Sequence, residues 1–343
     1  MIAKEDRADS ARRKHFAVLG AGSWGSALAH LLASNNHRVS LWCRREELAQ
    51  SINATHTNPQ YLGDTSLHKS VYASSSLAEV CKGADALVCV VPSLALRQIA
   101  QDLKHYVDKN TPCIICSKGF EANTGYLPLE IFEEELGNAE RLAVLSGPNH
   151  AEEVVRLLPS ATLIASSCKD TARFYQEAFS QESFRCYTSS DVVGVEICAA
   201  YKNIIALAVG LSFGLGMGDN TAAMLMTRGL AEMSRLSVAL GGDQSTCMGL
   251  AGMGDLVATC TSKHSRNRMF GEALASGESL DEYQSRRHMV VEGARACKTI
   301  QVIAQKSAVE LPIASVVHEV VWNGVDPLEA GYALSMRPLK PEF

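Results

Sequence analysis

Lys202 stands inside the run GVEICAAYKNIIALAVG, from Gly194 to Gly210, which is otherwise almost wholly apolar and reads as one buried helix. Its helical neighbours three and four positions away are Cys198, Ala199, Ile205 and Ala206, and none offers a carboxylate. Two arrangements satisfy such a residue. The side-chain stem can lie along apolar surface and lift the ammonium to water. Alternatively, the ammonium is held at a cleft, where desolvation lowers its pKa toward neutrality and fits it for proton transfer. The residues alone leave both open.

Other segments carry groups suited to the same kind of site. CSKGF places Lys118 just after a strand-like run, at the carboxyl edge where open α/β sheets bind ligands, so Lys118 is expected to point into the cleft. LSGPNHAEE ends another such run at that edge. There Gly147 and Pro148 could turn under a substrate, but an ordinary turn capped by Asn149 explains them as well and is preferred from this segment alone. AGMGDLVATCTSKHSRNRMFGEAL sets Asp255 after a glycine turn and Ser265, Arg266 and Asn267 at the start of an amphipathic helix. Polar donors, a cation and a helix N-terminus together make an anion site. Plain capping by Ser265 is the alternative. In VVEGARA, Glu292 either joins a site or only favours the positive end of the next helix.

VLGAGSWGSALA spaces Gly20, Gly22 and Gly25 as G-x-G-x-x-G, after a predicted strand and at the opening of a predicted helix. In that context the spacing reads as a dinucleotide turn: the glycines allow close backbone approach, and a pyrophosphate lies on the helix N-terminus. The next strand ends VSLWCRREE, with Arg44 and Arg45 where an NAD site usually has an acidic residue for the ribose 2′-hydroxyl. Arginines suit a 2′-phosphate, which favours NADP over NAD. The alternative is a solvated pair ahead of Glu46 and Glu47 at a helix start.

The elements that must position these groups change character along the chain. From Phe16 to about Ser189, the runs FAVLG, RVSLWC, ALVCVVP, PCIICS, RLAVLS and ATLIAS alternate with helix-like segments. This pattern implies a doubly wound α/β domain with a parallel sheet covered on both faces. Helical periodicity then takes over, at Val192–Leu211, Ala222–Leu240, Arg266–Ala275, Gly293–Lys306 and Ile313–Trp322, with glycine-rich joints between. The expected organisation is a loose extension over residues 1–13, a dinucleotide-binding domain over 14–190 and an all-helical substrate-binding domain over 191–343.

Composition narrows the function classes. The chain has 343 residues, is 47% hydrophobic and carries a net charge of −5, which gives no indication of a nucleic-acid surface. Its 11 cysteines, several inside apolar runs, read as reduced core residues of a cytosolic protein. Cys113 and Cys116 form a C-x-x-C on a strand, where residues three apart face opposite sides, and no metal site is expected. The basic and apolar N-terminal stretch is read as strand, turn and helix rather than an export signal. No stretch is expected to be long enough to span a membrane.

In order along the chain, GAGSWGSALA, LWCR, SKGF, LSGPNHAEE, GVEICAAYKN, NTAAMLMTRG, GMGDLVATCTSKHSRNRMFG and VVEGARA resemble the bacterial-type NAD(P)-dependent sn-glycerol-3-phosphate dehydrogenases. The resemblance runs from about Lys14 to the early 330s. It implies a two-domain, usually dimeric enzyme that interconverts dihydroxyacetone phosphate and sn-glycerol 3-phosphate for glycerophospholipid synthesis. By motif it implies Lys202 as general acid/base, Lys118 as a contact to both cofactor and substrate, and Asp255 and Thr259 as active-site residues beside Lys202. Gly147 and Asn149 match substrate-contact positions. Ser265, Arg266 and Asn267 match the phosphate cradle, with Arg266 also facing the cofactor. Ser23, Trp24, Arg44, Ala151, Val290 and Glu292 match cofactor contacts. Two positions depart from the pattern: Asn149 replaces the usual Ser or Thr, and His150 the usual aromatic residue, so His150 is read as a wall or surface residue. A dehydrogenase of another small hydroxy acid would need no phosphate cradle. A non-catalytic NADP-binding regulator would be expected to lose Lys202, Lys118 or Asp255.

Overall fold

The computed structural model describes residues 13–287, 290–339 and 341–342. The loose extension expected over residues 1–13 lies, except for Arg13, outside the described residues. Ten strands occur in chain order: β1 His15–Leu19, β2 Arg38–Trp42, β3 Thr57–Asn58, β4 Gly63–Ser66, β5 Val71–Ser74, β6 Ala86–Cys89, β7 Cys113–Ile115, β8 Leu142–Ser146, β9 Ser160–Ala165 and β10 Phe184–Ser189. Eight of them form one sheet in the order β10-β9-β8-β7-β6-β1-β2-β5, while β3 and β4 pair as a small hairpin. Chain direction through the sheet reverses its lateral course at β1, which has β2 on one side and β6 on the other. Crevices at the carboxyl ends of strands on either side of such a switch bind ligands.

The apolar runs became strands because both faces of the sheet are covered. Ala17, Leu19, Leu87, Cys89, Cys113 and Ile115 belong to the core on one side, and Phe16, Val18, Val88 and Ile114 to the core on the other. This is the alternation a strand imposes. Cys113 and Cys116 fall into different cores, and burial pushes both thiols up.

The sheet is not wholly parallel, as the sequence suggested. β9 runs antiparallel to β8, and β10 then runs parallel to β9. The link between β8 and β9 holds only a one-turn helix, Ala151–Val154, so the chain turns back instead of crossing over. β5 and β10 were also not anticipated. Both are edge strands with alternating exposure, Val71 buried beside exposed Tyr72 and Phe184 buried beside exposed Arg185, and so lack a continuous apolar run.

From Val192 the described elements are helices. The central helix Val192–Gly214 is capped by Asp191, whose side chain accepts from the Gly194 N–H at 2.9 Å. It shares one core with the sheet, which is why apolar residues occur on all its faces. The expectation that no stretch could span a membrane needs correction. This helix has 23 residues and is long and apolar enough, but it is packed inside the protein. Around it lie Asp219–Ala239, Asp255–Thr261, Arg266–Ala275, Glu292–Ser307 and Pro312–Asn323. At the crossing with Arg266–Ala275 the backbones touch. A Cβ on Gly210 would lie 2.0 Å from the Arg268 carbonyl oxygen, and one on Gly271 2.3 Å from that of Leu207.

Candidate active site

One carboxylate organises the site. Asp255 opens the helix Asp255–Thr261 after a wide π-helical turn over Leu250–Gly254, in a segment read as a glycine-rich joint. Its Oδ1 accepts from the Lys202 ammonium, and its Oδ2 accepts from Lys118 Nζ at 2.7 Å. Lys202 Nζ also donates to Thr259 Oγ1 at 2.8 Å, and that hydroxyl donates to the Asp255 carbonyl oxygen at 2.6 Å, which turns a lone pair toward the ammonium. The Ser146 hydroxyl, at the end of β8, lies 3.4 Å from Asp255 Oδ2. The partner that Lys202 lacks on its own helix therefore comes from a helix 53 residues later.

Burial separates the two lysines. The Lys202 side chain is 7% exposed and that of Lys118 is 21% exposed. Lys202 is thus the deeper of the two and Lys118 the nearer to solvent, and the snorkelling alternative for Lys202 is not the one adopted. Burial lowers the Lys202 ammonium most, Asp255 opposes the shift and Lys118 adds to it, leaving a pKa of about 7. Burial alone would raise Asp255. The positive charges of Lys118 and Lys202 overcome it and hold the carboxyl below its usual range. An ammonium has three N–H donors, and Asp255 and Thr259 use two. The third can meet a ligand oxygen.

Beside this cluster the Arg266–Ala275 helix presents its N-terminus. Ser265 caps it, its Oγ accepting from the Arg268 N–H at 3.3 Å, so the capping alternative is realised. Arg266 is exposed at the first position. The buried Asn267 side chain is engaged at both ends: Nδ2 donates to Asn203 Oδ1 at 2.9 Å, and Oδ1 accepts from the Gly293 N–H at 2.9 Å. It ties together the central helix, its own helix and Glu292–Ser307. Glu292 accepts from Ser93 Oγ at 2.9 Å, a bond between the two halves of the chain. Burial raises the Glu292 carboxyl, with Ser93 and Arg266 opposing. Val290 lies half-buried just before it.

At the end of β8, a Cβ on Gly147 would lie 3.0 Å from Thr162 Cα, so the turn packs on β9. Asn149 does not cap the following helix as the sequence suggested. Its Nδ2 donates to the Ala161 carbonyl at 2.9 Å, and its Oδ1 is buried without a hydrogen-bond partner among the described residues. The N-cap position is His150, which makes no side-chain cap bond. The half-buried His150 ring bonds the Ala258 carbonyl through Nε2 at 3.2 Å, which makes Nε2 the donor and His150 part of the wall. Ala151 is buried at the head of the one-turn helix.

The glycine turn precedes the helix Ser23–Ser34. Gly20 has φ +116°, and a Cβ on Gly25 would lie 1.8 Å from the Gly20 carbonyl oxygen, so both are fixed by the protein itself. A Cβ on Gly22 would meet nothing within 4 Å. That open face lies over a helix N-terminus with no side-chain cap, and the nearby Trp24 Nε1 is buried without a hydrogen-bond partner among the described residues. Open space, uncapped N–H groups and an orphaned donor fit a dinucleotide pyrophosphate. Arg45 is engaged with Gln60, whereas exposed Arg44 makes no side-chain hydrogen bond among the described residues.

Sequence reasoning brought out Lys118, Lys202, Asp255 and Thr259, which the fold gathers. It missed Ser146, Ser93 and Asn203. Asn203 was within reach, being the last residue of the quoted AYKN. The others sit in strand ends and loops whose partners are distant in sequence.

Two family models cover the chain: the N-terminus of NAD-dependent glycerol-3-phosphate dehydrogenase matches residues 15–172, and its C-terminus matches residues 191–331. A glycerol-3-phosphate dehydrogenase [NAD(P)+] of Moorella thermoacetica is 44% identical over 326 residues, covering 95% of this chain and 97% of that protein. One from Bacillus cereus is 45% identical over 329 residues, covering 95% and 96%. The crystal structure of glycerol-3-phosphate dehydrogenase from Coxiella burnetii matches with a TM-score of 0.91 and 38% identity, over 95% of this chain and 99% of that one. With both halves matched in order and the lysine–aspartate cluster lying where they meet, the chain belongs to the NAD-dependent glycerol-3-phosphate dehydrogenase family.

Proposed function

We propose that the protein interconverts dihydroxyacetone phosphate and sn-glycerol 3-phosphate with NAD(P) and that Lys202 moves the proton. The observation that carries this reading is the Lys202 ammonium: buried, near neutral in pKa, fixed by Asp255 and Thr259, and left with one N–H to direct. A nicotinamide held at the glycine turn would supply or accept the hydride. In reduction the Lys202 ammonium stabilises the developing alkoxide and gives it a proton. In oxidation the neutral amine takes the hydroxyl proton. Asp255 aims both lysines, and Lys118 at the cleft opening meets substrate and cofactor.

The substrate phosphate rests on the N-terminus of the Arg266–Ala275 helix, with Arg266 supplying charge and Ser265 and Asn267 shaping the cradle. Because the Asn267 amide already bonds two partners, its backbone N–H is the group directed at phosphate. Gly147 and Asn149 face the substrate from the end of β8. Gly20, Gly22 and Gly25 with Ser23, Trp24, Ala151, Val290 and Glu292 hold the dinucleotide. Exposed Arg44 reads a 2′-phosphate and favours NADP. Residues 14–190 serve as the dinucleotide domain and 191–343 as the substrate domain.

The product serves glycerophospholipid synthesis in the cytoplasm. Two copies form a homodimer, a reading supported by the exposed apolar Leu328, Tyr332 and Met336 at and beyond the last helix, Pro327–Ser335. Sedimentation equilibrium should give twice the chain mass, and a monomer mass refutes it.

The decisive experiment follows nicotinamide absorbance after dihydroxyacetone phosphate is added with NADPH or NADH. Oxidation should require the phosphate ester and fall at least about 1,000-fold in Lys202→Ala. Arg44→Ala should lower the NADPH-to-NADH ratio of kcat/KM about tenfold. Nucleotide binding without turnover of this substrate would overturn the assignment.

A further inference from the structure

Asn58 belongs to HTNPQYL, a segment outside the glycine motif and 33 residues past Gly25 in the chain. Its side chain is fully shielded from water. Nδ2 donates to the Ala21 carbonyl oxygen at 3.0 Å and to Ser26 Oγ at 2.8 Å. Ala21 lies between Gly20 and Gly22, and Ser26 directly follows Gly25, so one amide grips the glycine turn at both ends. The same loop makes another contact there, since Ser23 Oγ donates to the Tyr61 carbonyl at 3.1 Å.

A turn built of glycines has few side chains to hold it and more freedom to lose on ordering than any other. Its N–H groups favour an anion only while they point the same way. An external restraint on the Ala21 peptide therefore acts on affinity for the ligand, because it removes ordering from the binding step. The Asn58 Oδ1 is buried and has no hydrogen-bond partner among the described residues. We propose that Asn58 is a positioning residue for the dinucleotide: it pre-orders the Gly20–Gly25 turn from outside. The proposal rests on the dinucleotide reading of that turn.

The test uses the full chain, without substrate for binding and exchange and with dihydroxyacetone phosphate for turnover. Asn58→Ala should bind NADPH at least tenfold more weakly by fluorescence titration, and its KM for NADPH should rise by more than kcat falls. In the ligand-free protein, amides from Gly22 to Ser26 should exchange with deuterium at least fivefold faster, with those of the central helix unchanged. Asn58→Asp keeps the shape but loses the donor, and should show a loss as large. Ser26→Ala removes one of the two acceptors and should lie between wild type and Asn58→Ala. A lowered Tm with wild-type affinity and turn exchange would make Asn58 a packing residue and overturn the proposal. If both Asn58 variants fail to fold, Ser26→Ala decides, and wild-type affinity there overturns it. Failure of the wild type to bind either dinucleotide would instead defeat the reading of the turn.

Discussion

Asp255 serves two lysines with one carboxylate, and the pH behaviour follows from that sharing. Because kcat/KM reports the free enzyme, oxidation of sn-glycerol 3-phosphate should rise with pH at unit slope and level off above about 7, where Lys202 is neutral. Reduction, which uses the ammonium, should decline above the same point. Asp255→Asn removes the charge that favours the ammonium, so the midpoint should move to lower pH while activity drops about 100-fold. Stability carries the same sign. The folded value lies below the ordinary lysine value, so the unfolded chain holds an extra proton between about 7 and that value. The contribution of this site is lowest below that window and increases with pH across it. Lys202→Met should lack the increase when urea midpoints are compared at pH 7 and 9. The oddness of Lys202 was visible in the sequence, because a charge in an apolar helix needs an explanation. Its carboxylate was visible only through the motif order, since no periodicity links residues 53 apart.

At the scale of elements, the three glycines of the turn do different work. Gly25→Ala forces a Cβ into the Gly20 carbonyl and should unfold the turn, with a drop in Tm of the ligand-free protein corresponding to roughly 1–3 kcal/mol. Gly22→Ala meets only open space, so it should leave that Tm within error while weakening NADPH binding, as calorimetry would show. The spacing alone treats the three alike, and the structure separates them. Elements with one dominant pattern were legible. The helix Arg266–Ala275 appears with the bounds its periodicity suggested, and Val192–Gly214 runs one short turn longer. The reversed direction of β9 was not legible, because strand direction depends on how the chain returns and not on the residues within the strand. The helix at Asp255 was hidden by the glycines before it, which form a π-turn leading into it.

At the scale of the whole molecule, the sheet and the helices share one core through Val192–Gly214, and the site sits at their junction. This arrangement has a consequence for biosynthesis. The ribosome delivers the sheet first, then this helix, and only afterwards the helices that cover it, ending with Pro312–Asn323 roughly a hundred and ten residues later. At about 5–20 residues per second, that leaves an interval of order ten seconds. During it the nascent chain displays a 23-residue segment of membrane-grade hydropathy with nothing yet made to bury its outer face. The same helix that carries Lys202 is, while translation continues, open to capture by chaperones or by a lipid surface.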